Sequence, residues 1–122
     1  MTQHIIIATA AFLGMLSVIF GAFGAHALKK TLSTDQLHSF EVGVKYQMYH
    51  AIVLLGLGVS GYHITAATYW CFTLGIVLFS FSIFGLVISD AKGKKLRFLG
   101  PITPVGGLFL VTGWLLLLIH AL

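Results

Sequence analysis

Residues 46–89 read YQMYHAIVLLGLGVSGYHITAATYWCFTLGIVLFSFSIFGLVIS, forty-four positions without one Asp, Glu, Lys or Arg. As a single helix this run would extend about 66 Å, roughly twice the hydrocarbon thickness of a bilayer. It must fold back on itself. The turn belongs at Gly61-Tyr62-His63-Ile64-Thr65, where glycine and polar groups interrupt the apolar pattern. Two spans follow, at about 46–62 and 67–89. Residues 1–28 and 98–122 also lack charged side chains. They supply two more spans, at about 5–28 and 103–122. The seven Lys and Arg and the three Asp and Glu all fall within 29–45 and 90–97. Only 8% of the chain is charged and 58% is hydrophobic, against about 25% charged in a soluble domain. No soluble core of this size hides so much apolar chain. A soluble globular domain, a disordered chain and a nucleic-acid-binding module are excluded, despite a pI near 9.5. The expected fold is all-α: one polytopic membrane domain over residues 1–122, a four-transmembrane-helix bundle.

The second helix is expected to begin before the membrane. Ser33 or Thr34 caps it, and Asp35 suits the positive end of its dipole. Leu37, Phe40 and Val44 share one face, while Glu41 and Lys45 pair on another. An amphipathic cytoplasmic extension therefore precedes span two, and the whole helix covers about 34–62. The fourth helix opens on Pro101 and Pro104, tolerated in a first turn that has no use for the missing N–H. Gly100 and Thr103 fit its cap.

Orientation follows from the basic residues. With four spans, the first and third loops share a side, and they hold Lys29, Lys30, Lys45, Lys92, Lys94, Lys95 and Arg97. The positive-inside rule makes these loops cytoplasmic and puts both termini outside the plasma (inner) membrane. Ala25-His26-Ala27 has the form of a signal-peptide cleavage site. No basic segment precedes the apolar run, however, and lysines follow it, so the first helix reads as retained. The single Cys71 leaves no intrachain disulfide to form.

Small residues let helix backbones approach closely in lipid. Ser17, Gly21 and Ala25 form a ladder on the first helix, widened by Gly14 and Gly24. Gly106, Gly107 and Gly113 offer a similar face on the fourth. Polar groups inside a span are costly and have partners or a function. His26, Tyr46, Gln47, His50, Asp90 and Thr103 are expected near the cytoplasmic face, where four helix ends can build one polar pocket. Imidazole titrates near neutrality and binds metals, so His26 and His50 are the candidates for proton transfer or metal binding. The bland alternative makes them a hydrogen-bonded staple between helices one and two. Asp90 pairs with a nearby lysine on the same bland reading. Neither a metal nor a cofactor is expected.

Three motifs are distinctive: Gly21-Ala22-Phe23-Gly24-Ala25-His26-Ala27-Leu28, Tyr46-Gln47-Met48-Tyr49-His50-Ala51, and Gly100-Pro101-Ile102-Thr103-Pro104-Val105-Gly106-Gly107 followed by Gly113-Trp114. In this order they resemble a small bacterial inner-membrane family classed as a domain of unknown function, which has a similar short transmembrane protein in animals. The resemblance implies a four-helix membrane protein of about this length and no particular activity. The family's signature falls on His26, Tyr46, Gln47, His50, Thr103, Pro104 and the neighbouring glycines.

Three function classes remain. The first is a non-enzymatic structural or accessory membrane component. Its partners are membrane lipids and either a second copy of the chain or a larger membrane complex. The second is a small-solute or ion transporter or channel using the polar cluster near the cytoplasmic face. No span carries a mid-depth Asp or Glu, which weakens it. The third is an intramembrane enzyme or a metal or haem protein using His26 and His50, weakened by the lack of a third strong ligand or a nucleophile–base pair.

Overall fold

The computed structural model describes residues 2–122, the side chains of Phe23 and Ala25 excepted, so the packing expected of Ala25 lies outside the described residues. The described secondary structure is helical throughout. Four helices are long and apolar enough to cross a membrane: α1 (Gln3–Leu28), α2 (Thr34–Ser60), α3 (Ala66–Ala91) and α4 (Ile102–Ala121), the last entered through a 3-10 turn at Arg97–Leu99.

Local chemistry sets the ends. Thr2, Ser33 and Thr65 each accept a backbone N–H of the following first turn through the side chain. At Ser33 the bond is reciprocated, because Gln36 Oε1 accepts the Ser33 N–H at 2.9 Å while Ser33 Oγ accepts from Gln36 N at 3.1 Å. Gly61 closes α2 with φ +73°, a left-handed conformation that glycine adopts without strain. Helix α4 departs from the expected cap. Pro101 occupies the N-cap, no side chain caps the helix, and the Thr103 hydroxyl is committed elsewhere.

Helix α2 runs without a break through the expected membrane boundary. The surface extension and the span at 46–62 are one uninterrupted helix, Thr34–Ser60. Nothing between Lys45 and Tyr46 breaks the backbone ladder, and a change of polarity alone does not end a helix. Gln47 therefore lies at the midpoint of a 27-residue helix and not near one end. Two π-helical segments, Ile19–Gly24 in α1 and Val77–Phe81 in α3, were not foreseen from the apolar runs. Such widened turns leave local carbonyls short of their usual partners and occur often at functional positions.

Helix α1 packs along α2, α2 against α3, and α3 along α4. Helices α2 and α3 form the centre, with α1 and α4 on opposite flanks. Leu13, Leu54, Phe72, Ile76 and Leu110 fill the core toward the termini, and Phe40, Phe84 and Val87 fill it toward the basic loops. The tightest seam is α3–α4. A Cβ on Gly106 would strike the Phe79 backbone and come within 2.7 Å of the Leu78 carbonyl carbon, and one on Gly113 would touch the Phe72 ring at 3.0 Å. Gly21 and Gly24 give Val44 and Phe40 of α2 their room, each at 3.1 Å. Gly107 is looser, at 3.8 Å from Phe79. A Cβ at Gly14 would meet nothing within 4 Å, so Gly14 plays no part in this packing.

Candidate functional site

The polar residues singled out from sequence do not meet in one pocket. His26 is exposed, two residues from the end of α1. His50 is only 6% exposed and lies sixteen residues into α2, about 24 Å of rise from the end that faces His26. The continuity of α2 separates them. Tyr46 and Tyr49 turn outward, ring to ring at 5.8 Å, and Tyr46 also meets the Phe79 ring at 5.2 Å.

Within the bundle several buried polar groups reach to a neighbouring helix. Gln47, fully buried, donates from Nε2 to the Leu13 carbonyl of α1 at 2.9 Å. Ser80, in the π segment of α3, donates to the Gly43 carbonyl of α2 at 2.7 Å. Ser82 Oγ donates to its own turn at Phe79 O, so the 2.5 Å contact with Thr103 Oγ1 places the Thr103 hydroxyl as donor from α4. Thr9 of α1 and Tyr69 of α3 share a 2.6 Å bond.

His50 links α2 to α4 and not to α1. Its Nδ1–H donates to Tyr46 O at 2.7 Å, which leaves Nε2 to accept from Trp114 Nε1–H at 3.1 Å. Both bonds are satisfied by a neutral imidazole. Gln47 and His50 are three positions apart and so neighbours on the helix, but the rotation between them aims one at α1 and the other at α4. Two buried oxygens at the α1–α2 seam, Gln47 Oε1 and Ser17 Oγ, have no hydrogen-bond partner among the described residues.

Asp90 and Thr103 lie at the basic-loop end, beside a groove of about 570 Å³ between α2, α3 and α4. Helices α2 and α4 scarcely touch through their backbones, so a slot opens between them with α3 as its floor. Asp35, Asp90 and Lys95 stand at its mouth, and Val42, Ile83 and Leu86 line its depth. Asp90 is not paired with a lysine. Its Oδ2 accepts from Gln36 Nε2 at 2.9 Å, beside the positive end of α2. Gln36 thus closes the α2 cap with one end of its amide and holds the end of α3 with the other. Toward the bundle centre the slot closes, where Tyr46 meets Phe79 and where Gly106 lets α4 sit on the backbone of α3.

A second groove of about 300 Å³ lies on the outer face of α1 and α2, lined by apolar groups such as Met15, Met48 and Ile52. Among the described residues no three His, Cys, Asp or Glu are grouped to hold a metal ion.

Sequence reasoning missed Gln36, Ser80 and Gly43. Gln36 carried a signal, since it stands three residues after a Ser cap. Gly43 and Gln47 are one turn apart on the same face of α2, which marks that face as an interface. Ser80 gave no sign of its partner.

The family model for a protein of unknown function, DUF423, matches residues 20–107. The UPF0382 inner membrane protein YgdD of Escherichia coli is 37% identical over 126 residues, covering 100% of this chain and 92% of that protein. The UPF0382 membrane protein SH2409 of Staphylococcus haemolyticus is 41% identical over 120 residues, covering 96% and 94%. No solved structure matches.

Proposed function

Because the chain belongs to the DUF423 family of membrane proteins, whose description carries no activity, we propose its function from geometry: a non-enzymatic accessory component of the bacterial inner membrane. One observation carries this reading. The buried side chains of Gln47, His50, Ser80 and Ser82 are engaged in ties between helices, one pair at a time, instead of facing a shared space. A catalyst or carrier needs polar groups held free for its substrate. Here Gln47, Ser80, His50 and Thr103 hold α1 to α2, α2 to α3, α2 to α4 and α3 to α4. The product is a cross-linked platform suited to carrying a partner, either a second copy or a larger membrane complex.

The basic loops are proposed to be cytoplasmic and both termini outside, on the distribution of the seven Lys and Arg. Alkaline phosphatase fused after Leu122 is then active and a cytoplasm-dependent reporter at the same place is silent. The opposite pattern overturns the orientation.

The functional test is flux. Proteoliposomes holding the purified chain are expected to leak protons, monovalent cations and small amines no faster than empty vesicles. Saturable uptake that is lost in Asp90→Asn would instead support a carrier working from the groove.

A further inference from the structure

We infer that the groove between α2, α3 and α4 is a lipid site, selective for a zwitterionic phospholipid whose head carries a primary ammonium, as phosphatidylethanolamine does. The inference rests on the membrane-spanning reading of the four helices. It is indifferent to which loops face the cytoplasm, because this end of the bundle lies at a bilayer surface either way.

The lining is graded as an amphiphile is graded. Asp35, Asp90 and Lys95 mark the mouth, and Val42, Ile83 and Leu86 continue toward the bundle centre. The slot is open between α2 and α4, so an acyl chain can enter it sideways from the bilayer. Its volume of about 570 Å³ falls in the usual range of small-molecule sites, roughly 300–1,000 Å³. It suits a head group and the first part of a chain, the remainder staying in the bilayer.

Charge selects the head. The chain has three acidic residues against seven basic ones, and two of the three, Asp35 and Asp90, line this single groove. Asp90 takes a neutral amide donor from Gln36, and its other carboxylate oxygen has no protein donor among the described residues. A site meant for an anionic head would not collect the scarce carboxylates at its mouth, in a protein whose remaining loop surface is basic. An ammonium that can donate hydrogen bonds answers both carboxylates with charge-assisted contacts. Lys95 on the same rim answers the phosphate. Phosphatidylcholine has the same net charge, but its quaternary ammonium has no N–H to donate. Phosphatidylglycerol offers no cation and brings a charge that the carboxylates repel.

The test uses the full chain in nanodiscs of equal parts phosphatidylethanolamine, phosphatidylcholine and phosphatidylglycerol, released into native mass spectrometry. The expected result is retention of phosphatidylethanolamine over each of the other two by about tenfold, the scale of one charge-assisted contact. Asp90→Asn keeps an oxygen to accept from Gln36 and is expected to abolish that preference while lowering the melting temperature in detergent by no more than a few degrees. Asp35→Asn gives an independent second reading should Asp90→Asn fold poorly. Equal retention of the two zwitterionic lipids by the unaltered protein overturns the proposal. So does a preference for phosphatidylglycerol, which would reveal only the basic loops acting as an electrostatic collar. A phosphatidylethanolamine preference that survives both substitutions overturns the assignment to this groove.

Discussion

The centre of the bundle and its basic-loop end both carry polar side chains, but they use them in opposite ways. At the centre, Gln47, Ser80 and His50 are buried and bonded across helix seams, and glycines bring backbones into contact between them. At the loop end Asp35, Asp90 and Lys95 surround open space, and Gln36 reaches across from α2 to α3 to hold it in shape. A hydrogen bond in lipid has no water to fall back on, so interior polar groups are worth having only when a neighbouring helix answers them. At the bilayer surface water and head groups supply that answer, and side chains there can stay uncommitted. Depth in the membrane, more than residue type, separates structure from candidate function.

The largest effect expected from this contrast is at Gly106. In Gly106→Leu the new side chain must displace the backbone of α3 at Leu78 and Phe79. A loss of about 3 kcal/mol or more is expected, read as a fall in thermal stability in detergent, with the protein shifting to aggregate in size exclusion. Gly107→Ala, one residue away and facing a gap of 3.8 Å, is expected to change stability by less than about 0.5 kcal/mol. Equal effects at the two positions would dissolve the α3–α4 seam as described.

Trp114→Phe comes next. It keeps a ring against Phe72 but leaves His50 Nε2 without its donor. Interhelical bonds of this kind average about 0.6 kcal/mol and reach about 1.7, so a drop near 1 kcal/mol is expected. The His50→Ala background should absorb most of it, and additivity in that double-mutant cycle would show that the bond does not couple α2 to α4. Gln47→Leu tests the opposite seam of the same helix, between α2 and α1. It removes a buried oxygen that has no partner among the described residues, whose desolvation costs about 1–3 kcal/mol, and gives up one amide bond to Leu13. A net gain of up to about 1 kcal/mol is expected. A clear loss would mean that Gln47 Oε1 and Ser17 Oγ share an internal water, which a structure in lipid would locate.

The four helices, their turn at Gly61 and their membrane setting could all be read from where the charges are missing. Apolar length and loop charge are one-dimensional quantities, and a sequence displays them directly. The depth of Gln47 and His50 was not legible in the same way. Hydropathy starts the crossing at Tyr46, whereas the buried stretch of α2 already begins at Phe40 and leaves Gln47 at the helix midpoint. The pairing of His50 with Trp114 lies further out of reach. Both residues belong to motifs visible in the sequence, but the bond joins positions sixty-four residues apart and depends on the relative rotation of α2 and α4. The π segments are hidden for a similar reason. A widened turn is selected by what packs against it, and Ile19–Gly24 and Val77–Phe81 look like ordinary span sequence.

The smallest expected effect decides how sharply the two regions differ. Asp90 touches the rest of the bundle through one bond, from Gln36 Nε2, and Asn in its place offers the same kind of acceptor. What is lost is a negative charge beside the first turn of α2, an exposed position where water and salt screen the dipole. Asp90→Asn should therefore lower stability by about 0.5 kcal/mol or less, a shift of a few degrees at most in a detergent melt. Gln36→Ala should cost more, because it opens the α2 cap and the tie to α3 together. If the order is reversed, Asp90 is a lock for the fold, and its carboxylate belongs with the committed groups of the interior. If it holds, the chain keeps at its groove a charge that its own architecture does not need, and only a bound partner gives that charge a use.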